Sequence, residues 1–121
     1  MSGKQANGLK KGYTSEIKNF RDLSPAERTQ KMSEITHLTN YELSNLSDPN
    51  SLTLDSANVM IENVVGKIEI PLGIATNFRV NCKDYLIPMA IEEPSVVAAA
   101  SNMAKITRSC GGFIASSDEP I

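Results

Sequence analysis

Residues 67–91, KIEIPLGIATNFRVNCKDYLIPMAI, decide the fold class of this chain. Ile68 and Ile70, then Ile74, Thr76, Phe78 and Val80, fall at alternate positions, the two-residue period of strands with one buried face. NCKD reads as a turn and YLIPMAI as the partner strand, so the segment is expected to form a β-hairpin with Asn81 and Cys82 in its turn. A tight turn of the favoured hand wants glycine at its second central position. Cys82 there implies either a longer loop or a strained residue. Pro88 has no N–H for a ladder, which places it at an edge or a bulge.

Upstream the apolar period lengthens to that of helices. In SPAERTQKMSEI, Ser24 is an N-cap, Pro25 takes the first helical position and Glu27 the third, with Met32, Ile35 and Leu38 on one face. TNYE offers a second capping box, Thr39 with Glu42, for a short helix through about Leu46, and SDPNS then breaks the chain. From about Thr53, Leu54, Ala57, Ile61 and Val64 stand at helical spacing, and Gly66 suits the left-handed residue that ends a helix. Downstream, Pro94 at the first helical position makes Glu93 the N-cap of a helix running to about Ser109. GGFIASSDEPI then starts a strand at Phe113 and Ile114 that has no partner in view. Helices, a hairpin and a following helix make an α+β arrangement.

The chain has 121 residues, 40% of them hydrophobic and 21% charged, enough for one small domain with a core. A net charge of -2 exerts no general pull toward nucleic acid. Lys4, Lys10 and Lys11, set among Gly and Ser, suggest a loose basic tail over residues 1–15. No apolar run reaches the roughly 18 residues of a membrane span, and no hydrophobic signal region follows the first lysines, so no membrane association and a cytoplasmic location are expected. Cys82, Cys110 and His37 are too isolated for a disulfide framework or a zinc site, and no metal is expected.

The chemistry-bearing run is IEEPSVVAAASNMAK, residues 91–105. A carboxylate at a helix start is favoured as the anion by exposed N–H groups and the helix dipole. Burial among Ile91, Val96, Val97 and three alanines, and the like charge of Glu92, work the other way, and local sequence leaves the balance open. A carboxyl held between such influences suits general acid chemistry. The plain structural reading, Glu93 as a cap and Glu92 as a solvated strand end, is the commoner fate of such acids. Ser95 stands near the N–H groups that hold anions, and Ser101 closes the run AAAS, whose small side chains let a second backbone or a ligand come close.

Taken together, the motifs resemble one family. FRDLSPAER, ENVVG and IPMAIEEPSVVAAAS, within a nearly continuous match after the tail, resemble hydroxymethylglutaryl-CoA reductases of the second, bacterial and archaeal class, often called degradative. The resemblance implies an oxidoreductase that uses NADH or NADPH to interconvert hydroxymethylglutaryl-CoA with mevalonate and CoA through a mevaldehyde-level intermediate. It implies that Glu93 is the proton donor to the carbonyl oxygen, working with a lysine, an aspartate and a histidine from later in the chain. It also implies that Ser95 hydrogen-bonds the hydroxymethylglutaryl moiety and that Arg21 contacts the CoA portion, as a fixed cation on a phosphate would. Glu62, Asn63, Val64, Val65 and Gly66 match the dimer-interface motif of a homodimer or higher oligomer.

On this resemblance residues 16–50 form the N-terminal helical segment, and residues 51–121 begin the large substrate-binding and dimerisation domain. Two departures matter. The family's turn reads NG where this chain has Asn81 and Cys82, and the cofactor domain with the remaining catalytic residues would lie beyond Ile121. No G-x-G-x-x-G segment is present. The chain is therefore expected to be an N-terminal fragment, inactive alone; the alternative is a complete non-catalytic CoA-binding or dimerising module.

Overall fold

The computed structural model describes residues 8–119. Its first helices begin where local hydrogen bonding dictates. α1 (Pro25–Ile35) starts at Ser24, whose hydroxyl accepts from the Glu27 N–H at 3.3 Å while the Glu27 carboxylate accepts from the Ser24 N–H at 2.7 Å. α2 (Asn40–Asn45) repeats the device with Thr39 and Glu42. Each box satisfies two N–H groups that a helix start leaves without internal partners. Met32 and Ile35 of α1 and Leu43 of α2 are buried and form one small core. Leu38 does not join them: Thr36 turns extended and ends α1, leaving Leu38 41% exposed.

α3 (Leu54–Met60) begins on the Thr53 cap as expected but is shorter than its apolar spacing suggested. Ile61 is extended, Asn63 takes the left-handed conformation at φ 57, and Gly66 is not among the residues with positive φ. Ile61 and Val64 are thus not on a helix, and Gly66 does not cap one. Ile68 and Ile70 also lie outside the sheet, because β1 (Leu72–Val80) starts where its partner β2 (Lys83–Ala90) ends, with Leu72 opposite Ala90. Without a neighbouring strand, Ile68 is 90% exposed.

The strands pair antiparallel, joined by a two-residue turn in which Asn81 (φ 48) and Cys82 (φ 65) are both left-handed. This is the primed turn that suits strand twist, and of the two alternatives left by the sequence it is the strained cysteine that occurs. Pro88 faces Ile74 on β2, an edge strand of a sheet of two strands among the described residues. Between Ala75 and Phe78 the register shifts, a bulge that brings consecutive residues Ala75 and Thr76 both into the interior.

α4 (Val96–Arg108) packs on β1 through small residues. Ala75 and Ala104 have no exposed area, and a Cβ on Gly73 would stand 3.0 Å from a Val97 methyl. Beyond α4, Phe113 donates to the Arg79 carbonyl at 2.8 Å, Asn81 donates to the Phe113 carbonyl at 2.9 Å, and the Phe78 and Phe113 rings stack with centroids 5.5 Å apart. The strand start at Phe113 therefore has a partner, the end of β1, through a parallel bridge at Val80.

Of the basic tail expected over residues 1–15, residues 1–7 lie outside the described residues. Residues 9–15 are tied in: Lys10 donates to the Ile35 carbonyl at 2.8 Å, Leu9 bridges Thr36, and Ser15 is fully buried. The Ser15 carbonyl accepts from the Asn77 N–H at 2.8 Å, so this segment joins the α1–α2 core to the hairpin. The architecture is α+β, with helices before and after an antiparallel hairpin.

Candidate active site

The IEEPS loop lies between the end of β2 and the start of α4. The Ile91 N–H donates to the Pro71 carbonyl at 3.1 Å, which closes the hairpin immediately before the two acids. Ser95 then takes the left-handed conformation, φ 72 and ψ -13, and makes no side-chain cap. The first helical bond runs from the Ala99 N–H to the Ser95 carbonyl at 2.8 Å. Ser95 therefore stands at the N-cap position that the sequence assigned to Glu93, and Pro94 lies before the helix. The reversal at Ser95 is the physical reason, since left-handed dihedrals cannot continue a right-handed helix backward.

Glu92, Glu93, Pro94 and Ser95 are all exposed. Among the described residues no hydrogen bond or ion pair holds either glutamate, so the Glu93 carboxyl is presented at the mouth of α4 rather than spent on capping. The alanine run divides between two faces: Ala100 and Ala104 turn toward β1, while Ala98 and Ala99 are exposed, followed along the outer surface by Met103 and Ile106, 55% and 56% exposed. The burial expected around the glutamates is thus not supplied by this chain's own residues.

What the chain does supply is a rigid seat for α4. Its first turn rests on Gly73 through Val97. Its middle is bonded through Ser101, whose hydroxyl accepts from the Thr76 N–H at 3.0 Å and donates to the Val97 carbonyl at 2.9 Å. Its last turn is anchored by Arg108, which donates to the Asp84 carboxylate at 3.1 Å, the Ser15 hydroxyl at 3.1 Å and the Asn77 carbonyl at 3.3 Å, with Glu16 3.5 Å away. Burial, the largest single influence on Asp84, pushes its carboxyl up. The Ser15 N–H, the Arg108 guanidinium and the Ser15 hydroxyl together outweigh it and hold the group below the usual aspartate range. Nothing local in the sequence announces this network, because Ser15 and Arg108 are 93 positions apart.

Arg21 stands on a single 3-10 turn, Phe20–Asp22, and is exposed. Arg28 of α1 fixes that turn from behind, donating to the Phe20 carbonyl at 3.1 Å and to the Arg21 carbonyl at 2.7 Å. Sequence reasoning passed over Arg28, although its spacing from Arg21, seven residues along a capped helix start, was visible. No hydrogen bond or ion pair links Arg21 with Glu93 or Ser95 among the described residues. Glu62, Asn63, Val65 and Gly66 form an exposed, non-helical stretch in which only Val64 is half-buried, and Val65 is 99% exposed. A groove of about 500 Å³ runs between α1 and α2, lined by Pro25, Thr29, Leu43 and Ser44 among others, and none of the IEEPS residues borders it.

The model of the hydroxymethylglutaryl-coenzyme A reductase family matches residues 24–121. The chain belongs to this family. It is 52% identical, over 87% of its own length, to the 3-hydroxy-3-methylglutaryl-coenzyme A reductase of Archaeoglobus fulgidus. It is 38% identical, over 74% of its length, to the probable reductase of Borreliella burgdorferi. In three dimensions it is similar to the class II reductase of Streptococcus pneumoniae bound to NADPH, with a TM-score of 0.72 and 31% identity over 84% of this chain. The chain spans only 24%, 20% and 27% of these three proteins, about a quarter of a reductase in each case.

Proposed function

We propose that this chain forms the part of a cytoplasmic class II hydroxymethylglutaryl-CoA reductase that supplies the proton donor, Glu93, and one face of the thioester site. The observation that carries the reading is the IEEPS loop, where a glutamate without a partner among the described residues, and a serine two residues on, stand exposed at the start of a helix that the hairpin holds fixed. As the thioester carbonyl is reduced, its oxygen gains negative charge, and a carboxylic acid within hydrogen-bond reach stabilises it by passing its proton to that oxygen. Ser95, two residues on, would donate its hydroxyl to the hydroxymethylglutaryl moiety; its exposure and the lack of a side-chain cap bond support this. Arg21, held by Arg28, offers a guanidinium to a phosphate of CoA.

The nicotinamide nucleotide of such an enzyme is NADH or NADPH, and no role in holding it is proposed for the residues described. The paired glycines, Gly111 and Gly112, are not an open cradle, since a Cβ on Gly112 would collide with the Arg79 carbonyl oxygen.

Glu62 to Gly66 are proposed to meet a second copy of the chain. The support is the nearly complete exposure of Val65, together with Ile61 and Ile68, 65% and 90% exposed, in a stretch that has no ladder of its own.

The test is Glu93→Gln in the full-length protein that carries this sequence. Turnover of hydroxymethylglutaryl-CoA is expected to fall by at least about 100-fold, with KM changed by no more than about threefold. Near-normal turnover would remove Glu93 from the role.

A further inference from the structure

We propose that the Thr76–Asn77 bulge and Ser101 form a positioning device that sets where α4 presents Glu93; the inference rests on the role of Glu93 proposed above. Between Ala75 and Phe78, β1 departs from the register of β2, and Asn77 takes the left-handed conformation at φ 69. One backbone group freed from the ladder and one side chain of the bulge both bond a single residue of α4. The Thr76 N–H donates to the Ser101 hydroxyl at 3.0 Å, and the Asn77 side-chain amide donates to the Ser101 carbonyl at 3.0 Å.

Two bonds to one helical residue fix both the slide of the helix along the strand and its rotation. The small buried side chains Ala75 and Ala104 offer little shape of their own to resist slippage. A slip by one residue would move α4 by about 1.5 Å and turn it by about 100°, carrying the IEEPS loop with it. The bulge itself is braced on its far sides, since the Asn77 N–H donates to the Ser15 carbonyl at 2.8 Å and the Asn77 carbonyl accepts from Arg108 at 3.3 Å. Neither Ser101 nor Asn77 bonds Glu93 among the described residues, so they are positioning residues. Misplacement of a reacting group by about 1 Å can cost about 100-fold in rate.

Two variants separate positioning from mere stability. Asn77→Gly deletes the bond to Ser101 while relieving a left-handed asparagine, so the backbone does not lose stability for that reason. Ser101→Ala deletes the acceptor for the Thr76 N–H, and Ser101→Thr restores a hydroxyl that in a helix bonds the preceding turn. In the full-length protein, kcat for hydroxymethylglutaryl-CoA is expected to fall about tenfold in both Asn77→Gly and Ser101→Ala, with KM within about twofold. The melting temperature of Asn77→Gly is expected to stay at or above that of the parent, and Ser101→Thr to recover kcat to within about threefold. Glu93→Gln is measured alongside. Normal turnover in Glu93→Gln overturns the role of Glu93 and the positioning with it. If Glu93→Gln is impaired, an unchanged kcat in Asn77→Gly, or a Ser101→Ala loss that Ser101→Thr does not recover, overturns the positioning alone.

Discussion

Cys82 occupies the second position of the hairpin turn at φ 65, where its Cβ crowds the following carbonyl and glycine would not. Cys82→Gly is therefore expected to raise stability by up to about 1 kcal/mol, read as an upward shift in melting temperature. Gly112 makes the opposite case: it is left-handed at φ 87, and a Cβ there would run into the Arg79 carbonyl. Gly112→Ala should cost about 2 kcal/mol or more, and a melt equal to that of the parent would contradict the placement of Phe113 beside β1. At this scale the sequence was legible wherever a residue type is diagnostic. Ser24 and Thr39, each followed three residues later by glutamate, marked their helix starts. The start of α4 was misassigned by two residues because serine is seldom left-handed, and nothing in PSVV marks Ser95 as the exception.

Asp84 and Arg108 set the stability of the junction between hairpin and α4. With its carboxyl held below the usual range, Asp84 contributes stability that is fully present above its unfolded value, about pH 3.9, and is lost as pH falls through the lower folded value. Asp84→Asn should destabilise the fold by about 1–3 kcal/mol near neutral pH, since the Arg108 guanidinium keeps its largely buried position but loses the nearer and less exposed of its two carboxylate partners. The gap between variant and parent should close in denaturant titrations below about pH 4, and a gap independent of pH would show that the charge is not what matters. Elements whose apolar residues face this chain's own interior were readable, as α1 and the hairpin show. Several of the misreadings fall together between Ile61 and Ile70. There the apolar periodicity is genuine, but Ile61, Val65, Ile68 and Ile70 are exposed here, so a pattern taken for internal packing belongs to surfaces that the described residues do not cover.

At the scale of the molecule, the contact proposed for Glu62 to Gly66 with a second copy makes that uncovered stretch the place to test association. Val65→Asp in the full-length protein is expected to shift a dimer toward monomer by sedimentation, because a carboxylate at the centre of an apolar contact is costly to bury. An unchanged sedimentation coefficient would remove Glu62 to Gly66 from the interface. Family membership was legible in the ordered motifs, whereas the seat that holds α4 was not, because its bonds join residues far apart in the chain. That separation has a kinetic consequence. Capping boxes and the hairpin turn close loops of a few residues, but the Ser15 hydroxyl meets Arg108 only after a loop of 93 residues has closed. Closing long loops before contacts repay them is slow, so Ser15 should dock after the hairpin has formed, whereas Leu9 and Lys10 close only the shorter loop to Thr36 and Ile35. Pulse-labelled hydrogen exchange would then show the Asn77 amide, bonded to the Ser15 carbonyl, gaining protection after the amides of the β1–β2 ladder.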